Sequence, residues 1–265
     1  MRGRYFLRVL ALGYLALLLG IPVVLVFINA FQDGIAAAWE AVTTPEAQHA
    51  FYLTMVMVAV AVPLNTIFGV LCALAIVRQR FRGRALLNVM VDLPFAVSPV
   101  VVGLALLLVY GRRDGWVGEW FAEQGIQIIF STPGMILATI FVSLPFVVRE
   151  VIPVLREIGT EQEQAAATLG AGPFQTFFRI TLPAIRWGVA YGVVLTTARA
   201  MGEFGAVSVV SGKISGQTQT ATLFVEERFQ RFDLTGAYAA SVVLALLALA
   251  TLLAMNVIKP KEGKA

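Results

Sequence analysis

Cysteine, histidine and charged residues are all scarce in this sequence of 265 residues. The single Cys72 excludes an intrachain disulfide, and the single His49 excludes a zinc site of the H-E-x-x-H type. Charged residues make up 14% of the chain, against roughly a quarter in soluble domains, and hydrophobic residues make up 58%. A soluble enzyme with one core, a disordered chain and a β-barrel of alternating strands are therefore excluded.

The shortage of charged residues is confined largely to six apolar stretches. Together they span 158 residues and hold three charges, while the other 107 residues hold 33. Each stretch is long enough for a membrane-spanning helix, which needs about 20 residues. We predict an all-α membrane protein that forms one transmembrane domain over residues 1–265. Its six spans are expected at about 9–31, 51–77, 86–111, 134–155, 187–211 and 235–258.

The first stretch follows Arg2, Arg4 and Arg8, as the apolar core of a secretory signal follows its basic segment. It is too long for such a signal and ends without an A-x-A-like site, so we expect it to be retained as a span. Lysine and arginine in alternate connecting segments number 14 against 5. The positive-inside rule then places both termini in the cytoplasm, together with a short loop at 78–84 and a long loop at about 156–186.

The sequence shows no catalytic or metal-binding cluster and no nucleotide site of its own. The pair Gly212 and Lys213 lacks the earlier glycine and the Ser or Thr of a phosphate-binding loop. The net charge of +4 does not indicate nucleic acid, because the arginines lie at the ends of apolar runs, where they set topology. Any step driven by ATP would therefore belong to a partner.

The long inner loop predicts a helix-turn-helix outside the membrane. Thr160 is expected to cap a short helix in a capping box with Glu163, Gly170 and Gly172 to end it, and Pro173 to begin the next helix. One interpretation is that small side chains on the first helix admit a partner protein. The other is an ordinary loop that folds onto its own spans.

The same loop resembles the cytoplasmic loop of permeases of ABC importers. That family has the pattern E-A-A, three residues, Gly, nine residues, I-x-L-P, and this chain departs from it only by Gln in place of Glu. The resemblance implies a coupling helix at 161–171 that docks on a cytoplasmic ATPase. The residues it assigns to coupling are Glu163, Gln164, Ala165, Ala166, Leu169, Gly170, Ala171, Ile180, Leu182 and Pro183.

Two of the three charges within the stretches, Arg199 and Glu203, lie in the fifth span, where an unpaired charge costs roughly 2.5–3.5 kcal/mol on insertion scales. They are four residues apart and so can pair on one helix face. The other interpretation is that they line the substrate path, because the planar donors of an arginine match two oxygens of a tetrahedral oxyanion. Asp92, in the third span, is a path candidate or the partner of a loop arginine.

The segments 92–103 and 202–212 are similar to permease subunits of sulfate/thiosulfate importers, of the W type. The resemblance implies the type I importer permease fold and a bacterial cytoplasmic membrane. It also implies a second permease of the T type, two copies of an ABC ATPase that binds ATP and Mg²⁺, and an extracytoplasmic sulfate/thiosulfate-binding protein. Path or gate candidates are Asp92, Pro94, Ser98, Pro99, Arg199, Glu203, Gly205 and Ser208. For the prolines, helix packing is an equal alternative.

Two other functions are weighed against a sulfate importer. A molybdate or tungstate importer would keep the class and change the cargo, with a homodimeric permease. A channel or secondary transporter would need no ATPase, and the helix-turn-helix in the inner loop argues against it.

Overall fold

The computed structural model describes residues 2–113 and 115–258. Across these residues the chain is helical and has no strand, so the prediction of an all-α fold is confirmed. Ala16–Gly20 and Phe177–Thr181 are π-helical turns that join neighbouring α-helices. The α-helices are α1 (Arg2–Leu15), α2 (Ile21–Ala30), α3 (Ile35–Thr43), α4 (Pro45–Arg78), α5 (Arg84–Ala96), α6 (Pro99–Tyr110), α7 (Gly118–Glu123), α8 (Thr132–Glu157), α9 (Glu161–Thr168), α10 (Pro173–Thr176), α11 (Leu182–Met201), α12 (Gly205–Val210), α13 (Ala221–Gln230) and α14 (Leu234–Ile258).

Five helical segments in the described residues are long and apolar enough to cross a membrane. They are Leu7–Ala30, Pro45–Arg78, Thr132–Glu157, Pro173–Met201 and Leu234–Ala254. A sixth segment consists of α5 and α6, between which the helix axis bends by 113°. The number of spans is thus five, or six if the bent pair counts as one.

The third apolar stretch, expected as a span over 86–111, is therefore two helices with a sharp bend between them. The break has a local cause, since the residue before a proline is driven out of the helical region. Ser98, which precedes Pro99, has φ −59° and ψ 135°. Pro94, by contrast, lies inside α5 without ending it.

The fifth stretch is also interrupted, although its sequence predicted a span as far as residue 211. Helix α11 ends at Met201, and α12 begins at Gly205 after three non-helical residues. Glycine at 202 weakens the helix there. The side chain of Glu203 accepts a hydrogen bond from the backbone N–H of Ala206 at 2.9 Å, which favours a new helix start at this point.

The centre of the fold is α8, which packs against α4 and α11. Val147 of α8 is fully buried between two glycines, Gly69 of α4 and Gly192 of α11. A β-carbon at either glycine would lie 2.7 Å from Val147. Helices in membranes pack through small residues in this way, because close backbone approach replaces the hydrophobic effect as the source of stability.

Contacts at the two ends of the bundle place the long loop at one end and the segment between α12 and α13 at the other. At one end, the last residue of α4, Arg78, bonds to Glu163 of the long loop. At the other end, His49 contacts the carbonyl of Gln217 at 3.1 Å, and Thr54 accepts a hydrogen bond from the N–H of Ala221 at 2.9 Å. We call the first the loop end and the second the opposite end.

Candidate functional site

The long loop forms two short helices, α9 and α10, connected by a tight turn. Gly170 has φ +84°, a left-handed conformation that favours glycine, and Pro173 occupies the first turn of α10. The loop is thus a helix-turn-helix at the end of the bundle. Its most prominent side chains are apolar: Leu169 is 88% exposed and Phe174 is 81% exposed.

Helix α9 contacts its own chain through one narrow face. Glu163 and Ala166, one turn apart, are the residues of this helix that are not exposed, while Ala165 and its other residues face outwards. The two candidate alanines therefore differ, since Ala166 is a packing residue and Ala165 is free on the surface of this chain. Gln164 is exposed as well.

The predicted capping box between Thr160 and Glu163 is wrong. The side chain of Thr160 makes no capping bond and instead accepts a hydrogen bond from Gln164 Nε2 at 2.9 Å. Glu163 is turned inwards, where its Oε1 accepts from Arg78 Nε at 3.2 Å and from the hydroxyl of Thr181 at 2.9 Å. Tertiary contacts have thus taken the carboxylate that the local motif would have used.

The second half of the motif forms the start of the next long helix. Ile180 lies in the π-helical turn, and Leu182 packs at the edge of the buried core formed by α4, α8 and α11. Pro183 follows the π-helical turn within the continuous helical segment Pro173–Met201, and it has no N–H to donate there. Ala171 lines an open cleft of about 320 Å³ between α9, α10 and α4.

Arg199 and Glu203 form an ion pair inside the bundle. The distance from Arg199 Nη1 to Glu203 Oε2 is 2.6 Å, and the side chain of Glu203 is 1% exposed while that of Arg199 is 30% exposed. The carboxylate is also held by the N–H of Ala206, and the backbone carbonyl of Glu203 accepts from Thr222 at 2.8 Å. Glu203 is therefore buried and fixed, and Arg199 keeps part of its guanidinium open.

The interruptions of the third and fifth stretches lie against each other. A β-carbon at Gly205, the first residue of α12, would lie 2.8 Å from Cβ of Pro99, the first residue of α6. A β-carbon at Gly103 would lie 2.7 Å from Val209. Ser208 donates to the carbonyl of Gly205 at 2.8 Å, so this hydroxyl is used within its own helix.

Asp92 pairs with an arginine of the neighbouring helix α8. Arg149 Nε donates to Asp92 Oδ1 at 2.7 Å and its Nη2 contacts Oδ2, so the pair is bidentate. The same Nη2 donates to Asn88 Oδ1 at 3.3 Å. Both charged side chains remain partly exposed, at 43% for Asp92 and 34% for Arg149.

The structure separates the predicted residues into three groups. The predicted coupling residues lie at the loop end. Pro99, Gly205 and Ser208 lie on the two helices that begin at the interruptions, Ser98 lies in the first interruption, and Glu203 lies in the second and pairs with Arg199 in the last turn of α11. Asp92 and Pro94 lie on α5. Sequence reasoning missed Arg78, Thr181 and Arg149 as contact residues. The one sequence feature of the two arginines was their position at the end of an apolar stretch. That feature had been interpreted as a signal for membrane orientation and not as a sign of a specific contact.

A fold of this kind, with an exposed helix-turn-helix at the loop end, defines a class, the membrane-embedded permeases of ABC importers. Residues 65–264 match the family described as binding-protein-dependent transport system inner membrane component. A solved bacterial ABC transporter involved in the import of alginate has the same fold, with a TM-score of 0.80 at 18% identity over 96% of this chain and 93% of that chain.

Two curated relatives place the chain more narrowly. It is 54% identical over 260 residues to the sulfate transport system permease protein CysW of Synechocystis sp., covering 98% of this chain and 94% of the relative. It is 40% identical over 246 residues to the sulfate transport system permease protein CysT of Synechococcus elongatus, covering 93% and 88%. The chain belongs to the binding-protein-dependent transport permease family and is a multi-pass permease subunit of an ABC transporter. The resemblance deduced from its motifs is confirmed.

Proposed function

We propose that this chain is one of two permease subunits of an ATP-driven importer of sulfate. The observation that carries the proposal is the identity of 54% to a CysW protein along nearly the whole of both chains. The lower identity to a CysT protein favours the W position in a pair of different permeases. This similarity favours sulfate over molybdate or tungstate, and an importer with an ATPase over a channel. Thiosulfate, a tetrahedral anion of the same charge, is a second cargo of the same path.

The proposed assembly contains a T-type permease, two copies of an ABC ATPase and an extracytoplasmic binding protein. ATP and Mg²⁺ are bound by the ATPase, not by this chain. The assembly lies in a bacterial cytoplasmic membrane, with both termini and the loop end in the cytoplasm. The segments placed in the cytoplasm contain 14 lysines and arginines and the segments placed outside contain 5, which supports this orientation. The exposed Leu169 and Phe174 at that end support docking of an ATPase.

The proposed gate is the place where the two helix interruptions touch. A rigid-body shift of α9 driven by the ATPase would tilt α11 and α8, and the non-helical residues 202–204 provide a hinge between α11 and α12. Contact between Pro99 and Gly205 passes that movement to the bent third span. Arg199, whose guanidinium is partly open, offers a transient site for the anion, and Glu203 limits how tightly the anion is held.

Uptake of radioactive sulfate into proteoliposomes tests this function. Vesicles would contain the two permeases and the ATPase, with ATP inside and sulfate-loaded binding protein outside. We expect uptake that requires ATP and is inhibited by excess thiosulfate. Uptake of molybdate with no uptake of sulfate would contradict sulfate as the cargo. Uptake without ATP would contradict an ATP-driven importer.

A further inference from the structure

Arg78 contacts three separate parts of the loop end through a single guanidinium. Its Nη1 donates to the carbonyl of Leu155 at 3.0 Å, and its Nη2 donates to the carbonyl of Gly159 at 2.6 Å. Its Nε lies 3.0 Å from Glu163 Oε2 and donates to Oε1. The side chain is 14% exposed, so these contacts are largely shielded from water.

Each of these contacts involves a helix end. Arg78 is the last residue of α4, Leu155 lies in the last turn of α8, and Glu163 lies in the first turn of α9. The last carbonyls of a helix have no partner within the helix, and the helix dipole favours a cation there and an anion at an N-terminus. The arginine thus donates to a carbonyl at the end of α8 and pairs with Glu163, one of two acids in the first turn of α9.

Helix α9 has little else to hold it in place. On its buried face Ala166 offers only a methyl group, and Glu163 supplies the polar contacts. An open cleft of about 320 Å³, lined in part by Leu74, Arg78, Glu163 and Thr181, lies at the surface between α9, α10 and α4. The link between this helix and the spans is therefore an ion pair with two hydrogen bonds and not a packed apolar seam.

We propose that Arg78 is the positioning residue that transmits movement of the coupling helix to α4 and α8. The inference rests on the proposed docking of an ATPase at α9. When the ATPase displaces α9, the carboxylate of Glu163 pulls on the guanidinium of Arg78. This guanidinium is hydrogen-bonded to the end of α8, and the backbone of Arg78 is the end of α4, so both helices follow. Thr181 gives Glu163 a second connection, to the start of α11. The three helices that pack around Val147 are then displaced together.

The test is the amount of sulfate transported per ATP hydrolysed by the complete importer in proteoliposomes. We expect Arg78→Gln and Glu163→Gln to lower this ratio about fivefold or more, in the range typical of coupling between two sites. Arg78→Lys, which keeps the charge but loses the fork of donors, is expected to restore only part of it. Arg80→Gln and Glu157→Gln change exposed charges at the same end and are expected to leave the ratio unchanged.

The ratio is measured only on complexes that retain the ATPase, so that loss of docking is scored separately. If a variant of the pair fails to assemble, Thr181→Val removes one bond to Glu163 and leaves the arginine in place, and an intermediate ratio is expected. An unchanged ratio in assembled Arg78→Gln, Glu163→Gln or Thr181→Val complexes would overturn the transmission role. Absence of an ATPase from the unmodified importer would instead overturn the proposed function.

Discussion

Gly205 lies against Pro99 so closely that a β-carbon on residue 205 would be 2.8 Å from Cβ of the proline. This contact joins the start of α12 to the start of α6, the two helices that begin after a break.

We expect Gly205→Ala to force these two helix starts apart. The overpacking should cost about 1–3 kcal/mol of stability and reduce sulfate uptake. Thermal unfolding in detergent and uptake in vesicles measure the two effects. Gly20→Ala is the control, because a β-carbon on this helical glycine, far from both breaks in the sequence, would meet nothing within 4 Å. Equal behaviour of the two variants would contradict a role for the contact.

Arg199 is expected to need its planar donors. In Arg199→Lys the charge that balances buried Glu203 is kept, but two oxygens of an anion can no longer be bound by one planar group. We expect lower uptake of sulfate with thermal stability close to that of the unmodified protein. Arg186→Lys, near the other end of α11, is the matched control. Normal uptake by Arg199→Lys would exclude a bidentate contact with the anion.

The exposed apolar residues of the loop end test docking better than the motif glycine does. A substitution at Gly170 strains a left-handed backbone, and one at Ala166 disturbs the seat of α9, so either change acts on folding as well as on docking. Leu169→Glu and Phe174→Glu leave the chain's own packing alone. We expect each to reduce the ATPase recovered with the purified permease several-fold. Phe232→Glu, which alters an 87% exposed ring at the opposite end, should have no such effect. Full recovery with the Leu169 and Phe174 variants would exclude this surface.

The centre of the bundle is expected to tolerate no side chain at Gly192. A β-carbon there would lie 2.7 Å from Cα of Val147, and backbone cannot move aside as a flexible side chain can. Gly192→Ala should therefore lose about 1–3 kcal/mol of stability. Gly13→Ala, in the open surroundings of α1, should lose none. A thermal unfolding curve for each variant decides the matter, and an unshifted curve for Gly192→Ala would show that α8 and α11 are less tightly packed.

The sequence predicted the features that depend on neighbouring residues. Apolar stretches gave the helices, and the glycines at 170 and 172 with Pro173 gave the turn in the loop, because both depend on local backbone preference. Proline alone did not locate the bends: Pro94 continues a helix, whereas Pro99 follows a break, since surrounding helices decide which carbonyls can be satisfied.

The pairings of the charged residues could not be read from the sequence. Arg78 and Glu163 are 85 residues apart, and Arg149 and Asp92 are 57 apart, so no periodic pattern relates them. The expected capping box failed for the same reason. Glu163 pairs with the distant Arg78 and so does not form the capping bond at the start of its own helix. The packing of α4 against α8 brings Arg78 within reach of Glu163.

Purification of this tagged chain from its own membranes in a mild detergent tests the central claim most directly. Mass spectrometry would identify the proteins that accompany it. We predict an ABC ATPase and a second, different permease of the T type. An ATPase with this permease alone would contradict the heteromeric sulfate importer and favour a homodimeric permease of the molybdate type. Recovery of the intact chain without any ATPase would contradict the account of the coupling loop.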